Sequence, residues 1–412
     1  MNFDDSSCAR CREDFPALGR TLDGRPLAYL DGPAGTQVPR PVIDAIAAYY
    51  GTCNANTHGQ FVTANESDAM LLAARETVAA LLGAPSWRCI SFGANMTTLT
   101  FALARAFGRR LGPGDEVVIT ELDHEANRGP WLTLQARGVT VRQVALRADG
   151  TLDPDDMARA VTGKTRLMAI GYASNALGTV NDLGLARRLT REVGAFLVVD
   201  AVHAAPHFSL DVAALDCDVL LCSAYKFYGP HVGLLYARPG LLDELSTERL
   251  STQDEEAPYR IETGTLNHAA VAGVKAAIEY LASWGDGGTL RERLVDAMTG
   301  LEARERALAG RYLDEVRQVP GVTVWGPDFA APRRAPTVSI TIAAVHPTEA
   351  ARRLGERGVC VWDGHFYAAR AIEVLGLADA GGVIRAGMAM YVTHDDVDRL
   401  LDGVRALALA RG

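Results

Sequence analysis

At 412 residues the chain exceeds what one hydrophobic core usually serves, so a large and a small domain are expected. Hydrophobic residues at 48% and charged residues at 22% describe a packed globular protein rather than a disordered one. A formal charge of -9 argues against a nucleic-acid or anionic-membrane surface and leaves small metabolites as the expected partners.

Residues 1–10 carry Asp4 and Asp5 and no apolar segment, so they do not read as a secretory signal. No apolar run approaches the roughly 20 residues that span a bilayer, and a cytoplasmic protein is expected. Seven cysteines, an odd and scattered set, suit a reducing compartment. Cys8-x-x-Cys11 has metal-ligand spacing but no second pair follows it, so it reads as two unpaired thiols on a loose N-terminal arm, and no metal is expected.

Short apolar runs then alternate with helical patterns. Strands are expected over 89–92, 116–120, 139–145, 167–173, 195–200, 219–223 and 232–237, and helices between them over 95–110, 127–137, 153–161 and 183–192. Phe196-Leu197-Val198-Val199 and Val219-Leu220-Leu221 are apolar on both faces, as buried parallel strands require. The pattern predicts a doubly wound α/β sheet with its ligand at the carboxyl ends of the strands. After Asn267 come helices over 269–281 and 290–316, strands over 322–325 and 337–342, a helix over 347–357, strands over 359–362 and 383–389, and a last helix over 394–409. This reads as a smaller α+β domain. The expected division is an arm over 1–30 that packs with the small domain, a large domain over 31–270 and a small domain over 271–412; residues 327–336 read as a loop.

Of the 41 basic residues only Lys164, Lys226 and Lys275 are lysines, so arginine supplies nearly all the positive charge. Arginine cannot serve as a nucleophilic amine, which makes each retained lysine informative. Lys226 follows a buried strand and precedes the turn signal Gly229-Pro230; there it reads either as a snorkelling strand-end lysine or as a partly desolvated amine. Asp200 ends another apolar strand, where a carboxylate either caps the next helix or meets a cation. An amine, an acid that keeps a pyridine nitrogen protonated, an anion cradle and a flat stacking group are what pyridoxal-phosphate chemistry requires. The turn Gly93-Ala94-Asn95-Met96 supplies a helix start for a phosphate, and Ser223 a hydroxyl. His124 is a candidate for stacking on a ring and Asn175 for a substrate carboxylate or ring hydroxyl; their plain alternatives are a loop histidine and a turn asparagine.

These residues, with Tyr228-Gly229-Pro230, Ser174-Asn175-Ala176-Leu177-Gly178-Thr179 and Thr263-Gly264-Thr265, give the chain its resemblance. It resembles the class V aminotransferases of PLP fold type I, and within them the cysteine desulfurase and selenocysteine lyase group. The likeness covers nearly the whole length, from Phe15-Pro16-Ala17-Leu18 and Leu27-Ala28-Tyr29-Leu30-Asp31 to Arg385-Ala386-Gly387-Met388-Ala389-Met390-Tyr391 and Thr393-His394. It implies a seven-stranded, mostly parallel sheet domain and a homodimer with shared active sites. Lys226 would be the Schiff-base lysine and proton shuttle, Asp200 the partner of the pyridine nitrogen and His124 the stacking group. His203 stands where relatives place a glutamine near the cofactor's phenolic oxygen, Tyr225 replaces a histidine beside the lysine, and Ala94-Asn95 replace a threonine pair at the phosphate. Thr265 matches a threonine that reaches the phosphate from the other subunit, and Arg385 an arginine that grips the substrate carboxylate.

Desulfurases carry an Arg-x-Gly-His-x-Cys type segment whose cysteine accepts sulfur. The matching stretch here is Trp362-Asp363-Gly364-His365-Phe366-Tyr367, and Cys360 falls seven residues too early, inside a strand. The expected activity is therefore a desulfurase-like lyase that cleaves C–S by elimination, with Trp362, Phe366 and Tyr367 walling a pocket for an amino acid bulkier than cysteine. Racemisation, epimerisation or transamination begin with the same proton transfer. A non-catalytic scaffold or sulfur-transfer partner is the reading of another class; a nicotinamide dehydrogenase is disfavoured because no Gly-x-Gly-x-x-Gly opens the first helix.

Overall fold

A computed structural model of the protein describes residues 3–330 and 333–409, so part of the expected 327–336 loop and both chain ends lie outside the described residues. In chain order the longer helices are α1 (Asp5–Glu13), α2 (Arg40–Thr52), α3 (Val62–Leu82), α4 (Met96–Gly108), α5 (Leu183–Val193), α6 (His268–Ala282), α7 (Leu290–Val316), α8 (Pro347–Glu356) and α9 (His394–Leu409). Seven strands, β1 (Ile90–Gly93), β2 (Glu116–Thr120), β3 (Thr140–Val144), β4 (Thr165–Gly171), β5 (Phe196–Asp200), β6 (Val219–Ser223) and β7 (Gly233–Ala237), form one sheet in the order β1-β7-β6-β5-β4-β2-β3. Only β7 runs against the others. The carboxyl ends of β1, β2, β4, β5 and β6 therefore share one edge, which is where an α/β sheet presents its ligand.

Period-two alternation decides the two layers. Val117, Ile119, Val198, Val219 and Leu221 pack with α4 on one face, while Val118, Leu197, Val199 and Leu220 join the larger core on the other. Both faces are covered, which is why β5 and β6 read as unbroken apolar runs. Antiparallel β7 returns at the ligand edge with Gly233, where a Cβ would lie 2.4 Å from the Asn95 carbonyl carbon. Only glycine lets the start of α4 sit against that strand.

A second, antiparallel sheet holds β8 (Val322–Trp325), β9 (Thr337–Ile342), β10 (Trp362–Gly364) and β11 (Val383–Gly387) in the order β8-β9-β11-β10. Three expectations are corrected. The strand predicted over 359–362 is two: Val359–Cys360 pairs in parallel with Ala28–Tyr29, and β10 pairs with β11. The helix predicted over 127–137 is a single turn, Gly129–Leu132, followed by a 3-10 stretch to Arg137, because Gly129-Pro130 and Gly138 bracket too few residues for a full helix. The N-terminal arm is not loose. It forms α1, whose Cys8 and Cys11 are buried against the backbone of Val392 and Met390, with Arg12 pairing Asp396 at 2.9 Å. Helices α2 and α3 were absent from the expected elements. All seven cysteines are free thiols, and among the described residues no helix is long and apolar enough to cross a membrane.

Candidate active site

The shared strand edge opens into a partly enclosed pocket, where an α/β sheet presents its ligand. Asn95, His124, Asn175, Asp200, His203, Ser223, Tyr225 and Lys226, eight of the residues singled out from sequence, line it. They come from the ends of five strands.

Lys226 follows β6 on a one-turn 3-10 segment that is fixed when Phe227 N bonds Ala224 O at 2.9 Å. Its Nζ donates to the carbonyls of Pro33 and, at 3.0 Å, Ala34, and lies 4.9 Å from the Tyr225 ring. Burial, reinforced by Arg385, pulls the amine down to about 7, so a neutral nucleophile is available near neutral pH. Asp200 ends β5, the neighbouring strand, and accepts the N–H of Val202 at 2.9 Å. Burial raises its carboxyl to about 6, and Lys226 opposes that rise. Without a cation at its free oxygen this acid is poorly solvated, which a protonated pyridine nitrogen would correct.

His124 Nδ1 accepts the N–H of Ala126 at 3.0 Å, which leaves the proton on Nε2. Burial drives its pKa down to about 4, so the ring is an uncharged stacking surface, with Tyr367 tilted against it at 5.5 Å. At the start of α4, Asn95 and Thr98 form a capping box, and Ser223 Oγ accepts the Met96 N–H at 3.0 Å. Thus Asn95 and Ser223 already satisfy first-turn donors, and the cradle's contribution is the positive end of a 13-residue helix. The donor set fits pyridoxal phosphate: an amine, a buried acid needing a cation, a neutral ring and a helix N-terminus converge on one pocket.

Five other expected residues, Ala94, Thr265, Arg385, Trp362 and Tyr367, do not line that pocket. Ala94 and Thr265 line an adjacent cavity beside Val232 and Ile261. Arg385 is 1% exposed, with Nη1 bonding Asn175 O at 3.0 Å, Nη2 reaching Asp31 Oδ1 at 3.2 Å, and its guanidinium 4.1 Å from the Phe366 ring centre. Burial lowers it to about 10, which still leaves it charged. Trp362 sits opposite Arg385 in the β10–β11 ladder, so the two side chains share a face, but at the sheet edge it is 46% exposed and outside the pocket. Tyr367 caps His124 from the surface, and the expected aromatic wall is therefore a stacked loop: Asn175 Nδ2 donates to Phe366 O at 2.8 Å, and Glu125 N to Tyr367 O at 2.7 Å. Cys360 is only half-buried in its strand, where burial and Asp31 raise its thiol.

Sequence reasoning missed two contributors. Asp123, one residue before His124, is fully enclosed, accepts from Gly171 N and Asn127 Nδ2 at 2.9 Å each, and is pushed up to about 7 by burial with Asp200 nearby. The other is the segment of Asp31, Pro33 and Ala34, which contacts Arg385 through its carboxylate and Lys226 through its carbonyls; the run Asp31-Gly32-Pro33-Ala34-Gly35, dense in turn residues, was the available signal.

Residues 28–400 match the family model described as Aminotransferase class-V. The chain belongs to that family. This class-V enzyme is 33% identical to a cysteine desulfurase of Serratia proteamaculans over 97% of each chain, and 34% identical to a probable cysteine desulfurase of Streptomyces coelicolor over 95% of each. Among solved structures, the cysteine desulfurase CsdA of Escherichia coli, an S-sulfonic acid form, aligns with a TM-score of 0.85 at 32% identity over 98% of both chains. An apo cysteine desulfurase from Thermococcus onnurineus aligns with a TM-score of 0.88 at 25% identity over 98% of both. The α/β architecture is that of PLP fold type I, as the resemblance implied.

Proposed function

We propose that this class-V enzyme binds pyridoxal phosphate and cleaves a C–S bond at the β-position of an amino acid by elimination, without a persulfide on the 365–367 loop. The observation that carries the cofactor assignment is the pairing of Lys226 and Asp200 on adjacent strand ends in one pocket. When bound, the cofactor supplies an electron sink for the substrate's α-carbon.

The chain's own residues do the rest. Asp200 would hold a proton at the cofactor's pyridine nitrogen, and its elevated pKa would let it share that proton. Lys226 Nζ is the amine that would hold the cofactor and the base that would take the substrate's α-proton; its lowered pKa suits both roles. His124 holds the ring plane, and Tyr367 covers His124 from water. The substrate carboxylate is assigned to Arg385, which Asp31 and Phe366 hold in place.

Along the loop from Gly364 to Tyr367 the side chains are imidazole, phenyl and phenol, and none of these accepts sulfur. The balanced reaction for cysteine is then cysteine plus water giving pyruvate, ammonia and hydrogen sulfide, whereas desulfuration through an enzyme thiol gives alanine. We assign the assembly as a homodimer. Tyr50, Phe61, Val62 and Leu250 are each more than half exposed, and the cavity holding Ala94 and Thr265 lies outside the chain's own pocket.

Supplying cysteine and S-substituted cysteines to the protein with pyridoxal phosphate tests the reading. Pyruvate is expected from the wild type, with sulfide from cysteine and the matching thiol from each S-substituted form, and none of these from K226A. Alanine as the main product would overturn the elimination, and no visible absorption band on adding the cofactor would overturn its binding.

A further inference from the structure

Behind the pocket lie three buried side chains that the proposed reaction leaves unused. His203 and His207 are four residues apart on helical turns in which Ala205 N bonds Ala201 O at 2.8 Å and Phe208 N bonds Ala204 O at 2.9 Å, so both imidazoles project to one side. Their rings meet edge to face with centroids 5.3 Å apart. His207 Nδ1 is 2.8 Å from Glu305 Oε2 on the buried face of α7. At the other end His203 Nε2 is 2.9 Å from Thr337 Oγ1, and His203 lines the pocket. His203 Nδ1, His207 Nε2 and Glu305 Oε1 are all buried without a partner among the described residues. A carboxylate at 1% exposure is strongly disfavoured unless a nearby group answers its charge, and here the answering group leads by way of a second imidazole to the pocket.

We infer that Glu305 and His207 are positioning residues that set which nitrogen of His203 carries a proton, and so whether His203 offers the pocket a donor or an acceptor. The inference rests on the pyridoxal-phosphate reading only for what His203 faces, not for the coupling itself. Thr337 cannot choose the tautomer, because a hydroxyl donates or accepts equally well. An ionised Glu305 holds the proton of His207 on Nδ1, leaving Nε2 of His207 as the atom whose proton varies. Gaining that proton takes the Glu305–His207 pair from net negative to neutral at ring-contact distance from His203.

The surroundings weigh on the same balance. From the pocket side Lys226 and Arg385 disfavour a cationic His203, as does burial. On α7, Glu302 and Arg304 flank Glu305 with opposite signs, and Tyr228 and Tyr391 lie within its field. Burial raises the Glu305 carboxyl while His207 lowers it, so the charge of Glu305 depends on the imidazole it faces.

The test uses full-length protein labelled with 15N in its nine histidines, free of cofactor, titrated by NMR in wild type, E305Q and H203Q. In E305Q the imidazole midpoints of His203 and His207 are expected to fall by about one pH unit, as loss of a close counter-charge predicts, and the His203 tautomer ratio should change. In the cofactor-loaded protein the pH midpoint of the visible band should move in the same direction, and that movement should vanish in the H203Q background. An unchanged His203 signal in folded E305Q, or a band shift of equal size with and without His203, would overturn the inference. If E305Q does not fold, H207Q serves in its place: the His203 tautomer must change there or the coupling is refuted. The cofactor-free NMR arm separates this outcome from failure of the pyridoxal-phosphate reading, which would appear as no visible band in any variant.

Discussion

At the carboxyl edge of the central sheet, Asp200 and Lys226 leave strands that are buried on both faces, and backbone ladders to neighbouring strands fix where they point. At the small sheet, the residues after β10 turn through Phe366 at φ +52° and Tyr367 at φ +59°, a left-handed conformation that side chains with a Cβ rarely adopt. That turn is held from outside itself by Asn175, Glu125, His124 and Arg385. The first region owes its geometry to strand pairing and the second to contact with other parts of the chain. The proposed amine and acid sit on the first; the aromatic loop sits on the second, where backbone strain persists only because several contacts oppose its release.

The comparison breaks most sharply at the sheet edge. K226A should lower turnover by on the order of 10^3-fold or more and remove the visible band, without loss of helical signal. D200A should cost about 10^2-fold in kcat, since the pyridine nitrogen then loses its partner, and D200N should be little better.

Titration of the cofactor-free protein sharpens it next. The carboxyls of Asp123 and Asp200 rise to about 7 and about 6, so the folded state binds protons that the unfolded chain has lost above about pH 4. The share of stability these two carboxyls contribute therefore falls as pH rises from about 4 to about 7, and the lowered pKa values of His124 and His203 work against that fall. Lys226 works in the opposite sense, because its amine drops to about 7 while the unfolded chain keeps the proton to about 10.5, so stability climbs again from about 7 to about 10.5. Denaturant melts across pH, read as wild type minus variant, should isolate each contribution: the D123N difference should fall between about pH 4 and 7 and the K226M difference should rise between about 7 and 10.5, by up to a few kcal/mol each at 1.36 kcal/mol per pK unit.

The loop should respond more weakly. Y367C places a thiol at the position the resemblance assigns to a sulfur-accepting cysteine, and a fraction of the product should change from pyruvate to alanine; a product ratio identical to wild type would show that the turn aims this position away from the substrate. W362A removes a half-exposed side chain, so melting should shift by no more than about 0.5 kcal/mol, with any kinetic change confined to KM for bulky substrates.

The parts of this protein written in local sequence were those whose physics is local. Apolar runs such as Phe196-Leu197-Val198-Val199 placed β5 to within one residue, and the ends of those runs placed Asp200, Lys226 and Asn175 at one edge. The scarcity of lysine marked Lys226 before any contact was known. What the sequence did not disclose were interactions between segments far apart in the chain. Cys360 joins a strand with Tyr29, Arg385 turns inward to Asp31, and Glu305 meets His207 from 98 residues away. Strand periodicity and turn chemistry act over a few residues and can be read in order, whereas a buried charge chooses its partner only after packing has closed off water. That is why the amine and acid of the site were fixed by the chain's own pattern, and the surroundings that tune them were decided by the tertiary fold.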